Sequence, residues 1–307
     1  EHYTRGIVFN EDGTEMVVLT TKQIGFNYNI YLESYALGTP YVVSSATRTY
    51  QQEVGSNIGG IRFGPLRVNN DGTRFYYGQT TGATIPLQVE LSTGWDLSSF
   101  VSETSGDGQL QNISSYFLFN GAGTILYMFE STGTNIKVFN LSTAWDITAV
   151  TPGTDITSIS GQGFGGVTST GFSHDGSVLY INDSSLVFTA VDVTTPFDLT
   201  TINWSSKTSN ANYGTNINNF TSNNSTMGSS YFCVASTATT TRIISCAGGL
   251  TSAISNSGPS AADVVNFDIE VPSNVYNPPT SLKGNQNGNP WYGNLWTNFS
   301  VQFNSDG

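Results

Sequence analysis

One phrase of apolar and polar positions returns along this chain at a spacing of roughly fifty residues, the signature of a repeat architecture. An apolar strand ends on Phe or Val, a tight turn follows, then a second strand, then a third strand ending in Leu-Ser-Thr, then an aromatic and an Asp. The turn reads Phe9-Asn10-Glu11-Asp12-Gly13-Thr14, Val68-Asn69-Asn70-Asp71-Gly72-Thr73, Phe119-Asn120-Gly121-Ala122-Gly123-Thr124 and Phe172-Ser173-His174-Asp175-Gly176-Ser177. Asp-Gly between apolar runs is a strong hairpin signal, because the glycine takes positive φ at little cost. The phrase closes as Leu91-Ser92-Thr93-Gly94-Trp95-Asp96, Leu141-Ser142-Thr143-Ala144-Trp145-Asp146 and Val193-Thr194-Thr195-Pro196-Phe197-Asp198, with Leu37-Gly38-Thr39-Pro40-Tyr41 as a looser copy. A short segment able to form an outer strand follows each of them.

About four strands per copy is what a propeller blade requires, since one blade cannot bury both of its faces and must stack on neighbours. The expected fold class is therefore an all-β propeller of four-stranded blades. About five blades are expected, beginning near residues 3, 62, 113, 166 and 216, followed by an irregular closing segment. Residues 1–249 hold the blades, while residues 250–307 lose the pattern until Phe299-Ser300-Val301-Gln302-Phe303 restarts it and Asp306-Gly307 stops at its turn. That ending, with Glu1 in place of an initiator Met, points to a piece of a longer polypeptide or to a last strand that closes a ring on the first blade.

The acids of the phrase invite a catalytic reading. Asp12, Asp71, Asp175, Asp96, Asp146 and Asp198 recur once per copy, however, so they are expected to serve the turn and the corner by bonding nearby backbone. Trp95, Trp145 and Phe197 are expected in equivalent, largely buried places. Glu33, Glu53, Glu90, Glu103 and Glu130 stand outside the phrase, and no two of them suggest a pair. His2 and His174 have no metal-site spacing, and His174 falls in a turn. Neither a nucleophile elbow nor a phosphate-cradling loop is present. No catalytic residue, metal or cofactor is assigned.

Composition narrows the partners. A net charge of −12 and only ten basic residues argue against nucleic acid. Arg62, Arg67 and Arg74, the nearest thing to a basic cluster, are expected at solvated positions. No apolar run approaches membrane-spanning length. Asn-x-Ser/Thr triplets, such as those at Asn112, Asn140 and Asn203, occur about as often as so Asn-, Ser- and Thr-rich a chain gives by chance. Within the irregular stretch, Trp291, Tyr292 and Trp296 concentrate aromatics among Gly and Asn, a composition suited either to a packed plug or to stacking on a sugar or partner.

The two cysteines allow a register argument. Laying Phe232-Cys233 on Tyr127-Met128 and centring the hairpin on Thr239 and Thr240 pairs residues whose numbers sum to 479. Cys233 then faces Cys246, and the two can form a disulfide.

Asp-Gly-Thr, a Tyr-containing strand and Leu-Ser-Thr-x-Trp-Asp together resemble the propeller-forming repeats of bacteriophage tail structural proteins and of bacterial surface proteins, over about residues 3 to 250. The resemblance implies a non-enzymatic structural or binding module: a virion tail component, nozzle or fibre, in an oligomeric assembly that docks other virion subunits or meets a host surface glycan or receptor. A carbohydrate-binding or carbohydrate-active secreted propeller and a cell-surface adhesion domain are the alternatives.

Overall fold

The computed structural model describes residues 2–24, 27–39, 45–58, 65–79, 84–113, 116–130, 135–157, 159–164, 166–172, 176–183 and 188–210, together with the backbone of four later strands. Blade 1 comprises β1 (His2–Phe9), β2 (Glu15–Ile24), β3 (Asn27–Leu37) and β4 (Ala46–Ile58). Blade 2 comprises β5 (Arg67–Val68), β6 (Arg74–Gln79), β7 (Ile85–Leu91) and β8 (Phe100–Ser105). Blade 3 comprises β9 (Phe117–Phe119), β10 (Ile125–Phe129), β11 (Ile136–Leu141) and β12 (Val150–Pro152). Blade 4 comprises β13 (Val167–Phe172), β14 (Val178–Asp183), β15 (Phe188–Val193) and β16 (Ile202–Asn210). Each is an antiparallel meander whose strands pair in chain order, and the sheets succeed one another as blades of a β-propeller.

Four blades are thus described where about five were expected, and they begin within a few residues of the expected starts, at His2, Arg67, Phe117 and Val167. Four strands with backbone pairing alone, β17 (Asn216–Phe220), β18 (Tyr231–Ser236), β19 (Thr241–Cys246) and β20 (Val264–Asp268), form a further sheet in the same order. First strands lie innermost, where β13 approaches both β9 and β17.

Continuous apolar runs in the second strands have a simple cause. Both faces of a blade are buried, so alternate residues of one strand enter different cores. Leu126 and Met128 pack with Tyr76, Phe117 and Phe139 between blades 2 and 3. Tyr127 and Phe129 point the other way, to Phe172, Leu179 and Val191 between blades 3 and 4. The seam between blades 1 and 2 is filled in the same manner by Val17, Leu19, Leu32, Leu66, Phe75 and Val89.

The cysteine register differs from expectation. In β18 and β19, Cys233 opposes Ile244 and Cys246 opposes Tyr231, so partner numbers sum to 477. Register follows from where the loop falls. Here the ladder ends at Ser236 and Thr241, one residue earlier than a loop centred on Thr239 and Thr240 requires. The cysteines are therefore offset along the ladder, not opposed, and their side chains lie outside the described residues.

Candidate functional site

The repeated phrase builds one unit per blade from its two halves. In the turn, Asn10 donates its N–H to the Glu15 carbonyl at 3.0 Å and accepts Gly13 N–H at its own carbonyl at 3.1 Å. Its side-chain Oδ1 takes Glu15 N–H at 2.9 Å. Asp12 Oδ1 accepts both the N–H and the hydroxyl of Thr14, at 3.0 and 2.6 Å. Asn69 and Asp71 repeat the arrangement on Arg74 and Thr73. Hydrogen bonds from Thr14 hold the Asp12 carboxyl below its ordinary range. At Asp71 partial burial pushes upward, and the hydrogen bonds from Thr73 outweigh it, leaving the same net direction. Blade 3 has Ala122 instead of Asp, and there Asn120 Oδ1 takes Thr124 N–H itself at 2.8 Å.

The corner is built over that turn. Trp95, Trp145 and Phe197 occupy the left-handed region, at φ 64°, 64° and 62°. Their N–H groups donate to the carbonyls of Gly72, Gly123 and Gly176 at 2.9, 2.7 and 3.0 Å. Each ring then lies directly on the same glycine: a Cβ at Gly72, Gly123 or Gly176 would fall 2.1 to 2.4 Å from it. The turn glycine thus meets two demands, its own φ of 66° to 72° and the room its blade's aromatic occupies. The rings are half-buried, less covered than expected. Asp96, Asp146 and Asp198 accept the N–H and hydroxyl of the residue two further on, at 2.9 and 2.6, 3.0 and 2.7, and 2.9 and 2.6 Å. Asp96 and Asp198 thereby cap the short 3₁₀ turns Leu97–Ser99 and Leu199–Thr201.

The same corners receive the neighbouring blade. Tyr76 donates its hydroxyl to the Trp145 carbonyl, and Tyr127 donates to that of Phe197 at 3.0 Å. Burial raises both phenols above the ordinary range, Tyr127 to about 12. Two repeated residues carried a signal for these units: a Tyr four residues after the turn glycine in three copies, and Asn at the turn's start in three. Neither acquires a role until the strands are brought together.

Arg67 overturns the expectation of a solvated position. It is 5% exposed on the innermost strand of blade 2. Nη2 donates to the Thr170 carbonyl of blade 4 at 3.0 Å, with longer contacts from Nε to Phe117 and from Nη1 to Leu66. Burial lowers its pKa to about 9. A first strand so short places its side chains at the axis, where inner strands of other blades converge. Arg74 instead faces blade 3's corner and Glu90; Arg62 lies outside the described residues.

Four of the five acids outside the phrase are seen with a donor. Glu33, fully buried, accepts Thr20 and Gln51 at Oε1 and Tyr35 at Oε2, with Arg48 at 3.7 Å. Glu103 accepts the Tyr77 hydroxyl at 3.0 Å, and burial raises its pKa despite that bond. Glu90 pairs with Arg74, and Glu130 with Lys137. Among the described residues no group of three or more His, Cys, Asp or Glu could hold a metal, and no helix is long and apolar enough to cross a membrane. His174, Asp175, Trp291, Tyr292 and Trp296 lie outside the described residues.

No family model matches the chain, and no curated protein matches it. Solved structures do. A functionally unknown protein from Desulfotomaculum acetoxidans is 12% identical, with a TM-score of 0.45 over 87% of this chain and 69% of that one. A protein of unknown function from Bacteroides thetaiotaomicron is 13% identical, with a TM-score of 0.43 over 78% of this chain and 55% of that one. A Bacteroides fragilis protein titled "putative 6-phosphogluconolactonase" is 11% identical, with a TM-score of 0.40 over 87% of this chain and 83% of that one.

Proposed function

We propose that this chain is a non-enzymatic structural and binding propeller of about five blades, a bacteriophage tail component that docks other virion subunits or contacts the host surface. The observation that carries the non-enzymatic reading is the use made of the recurring acids. Asp12, Asp71, Asp96, Asp146 and Asp198 each spend a carboxylate oxygen on the amide and hydroxyl two residues ahead, which holds a turn or corner in shape. Residues that define a repeat in this way build a scaffold. The tail placement is supported by the resemblance of the phrase to tail repeats and by the low charge of a chain whose surface is hydroxyl and amide.

Two experiments test this. An antibody against the purified chain, imaged by electron microscopy on phage particles from the source culture, should decorate the tail; protein found only free in the medium or on cells would overturn the virion placement. Incubation of the chain with polysaccharides and with sugar lactones should release no product, and turnover abolished by one point substitution would overturn the non-enzymatic reading.

A further inference from the structure

Blade 1 ends on the longest outer strand of the four blades. β4 has 13 residues, against 6, 3 and 9 in β8, β12 and β16. It is the last strand of its sheet, so one edge pairs with β3 and the other faces outward. Thr47 to Gln51 and Glu53 are exposed. Tyr50, at 41%, is one of two exposed large hydrophobics among the described residues. A long edge strand presents a row of backbone donors and acceptors that can take another strand.

The register of β4 gives that edge a charge pattern. Along β3, Tyr31, Glu33 and Tyr35 lie on one face, two residues apart, and they oppose Glu53, Gln51 and Arg48. Simple alternation would put Arg48 on the opposite face from Gln51 and Glu53. The extra residue Thr49 corrects this: it forms a bulge, its hydroxyl bonded to that of Ser34 at 2.8 Å on the face that Tyr50 shares. Gln51 Nε2 donates to Glu33 Oε1 at 3.0 Å, and Arg48 lies 3.7 Å from the same carboxylate, as residues on the Glu33 face must. One face of the edge therefore reads positive, neutral, negative, with Arg48 and Glu53 each about 7 Å from Gln51. That order is complementary to itself when reversed.

We propose that β4 is a docking edge for a second copy of this chain, the two β4 strands running antiparallel about a two-fold axis at Gln51. Arg48 of each copy then opposes Glu53 of the other, twice per interface, at the separation of directly opposed Cβ atoms, about 4.5 to 5.5 Å. On the other face Tyr50 of each copy stands one position from the axis, where a tyrosine supplies apolar contact area with a polar tip. The bulges at Thr49 and Val54 keep the shared ladder short, so the dimer is reversible, and the charge row disfavours strands of any other order. This self-contact does not depend on the virion placement proposed above.

Sedimentation equilibrium over a dilution series should show monomer and dimer in exchange, shifting to monomer as salt rises. Glu53→Arg sets like charges opposite one another at both positions and should weaken the dimer by about tenfold or more; Arg48→Glu should do the same. Mixed in equal amounts, the two variants should associate with each other as tightly as the unaltered chain does with itself, because each supplies the charge that the other lacks. Arg48→Glu also brings a second carboxylate near Glu33, so a cooperative urea transition records that this variant has folded; if it has not, Glu53→Arg and the salt dependence still decide. A mass of one chain at every concentration, a dimer indifferent to both salt and Glu53→Arg, or a mixture of the two folded variants that stays monomeric would overturn the proposal.

Discussion

Gly123→Ala tests the claim that turn and corner are one unit. An alanine there must hold φ near 66°, costing about 1 kcal/mol. Its Cβ would also sit 2.2 Å from Trp145, so the ring must lift off the blade. A Trp side chain buries on the order of 200 Å², and this one is half-buried, so displacing it forfeits about 2 kcal/mol at roughly 25 cal/mol per Å². Gly123→Ala should therefore cost about 3 kcal/mol. Trp145→Ala should cost about 2 kcal/mol, less than the roughly 3 kcal/mol of a fully buried ring. Once Trp145 is replaced by alanine, the methyl group added by Gly123→Ala has no ring to displace, so the double substitution should cost about 3 kcal/mol, not the additive sum of about 5. Urea unfolding of the four proteins, with unchanged slopes, gives the coupling. A coupling near zero would refute the reasoning, because ring and glycine would then act separately.

Asp71→Ala should cost less than about 1 kcal/mol in the same assay, because Asn69 can take Thr73 N–H as Asn120 takes that of Thr124 beside Ala122. Arg67→Ala, which strands inner-strand carbonyls and leaves a cavity, should cost about 3 kcal/mol or more, whereas Arg67→Met fills the space and costs less. The Glu103 pKa is higher folded than unfolded, so ionisation opposes folding: stability should fall as pH rises from the unfolded value through the folded one. Glu103→Gln should remove that slope and raise the melting temperature at neutral pH; an unchanged slope across the carboxylate range would count against the buried-carboxyl account.

The local parts of this protein were legible in its residues. Asp-Gly-Thr and Trp-Asp at fixed spacing announce turns and corners because their hydrogen bonds close within a few residues, as Asp12 does with Thr14 and Asp96 with Ser98. Strand succession and the approximate starts of the blades follow from the same periodicity. Tertiary structure decided what depends on residues far apart in the chain. Arg67 looks like any strand residue in sequence, and only the convergence of Phe117 and Thr170 on it from other blades makes it a buried centre. The pairing of Gly72 with Trp95, the half-burial of the aromatic rings and the passage of Tyr127 to the Phe197 carbonyl arise when strands distant in sequence are brought side by side. The offset of Cys233 from Cys246 has the same root: a hairpin's register is chosen by the packing of its whole ladder, which can move a loop by one residue without any change in the pattern that announced it.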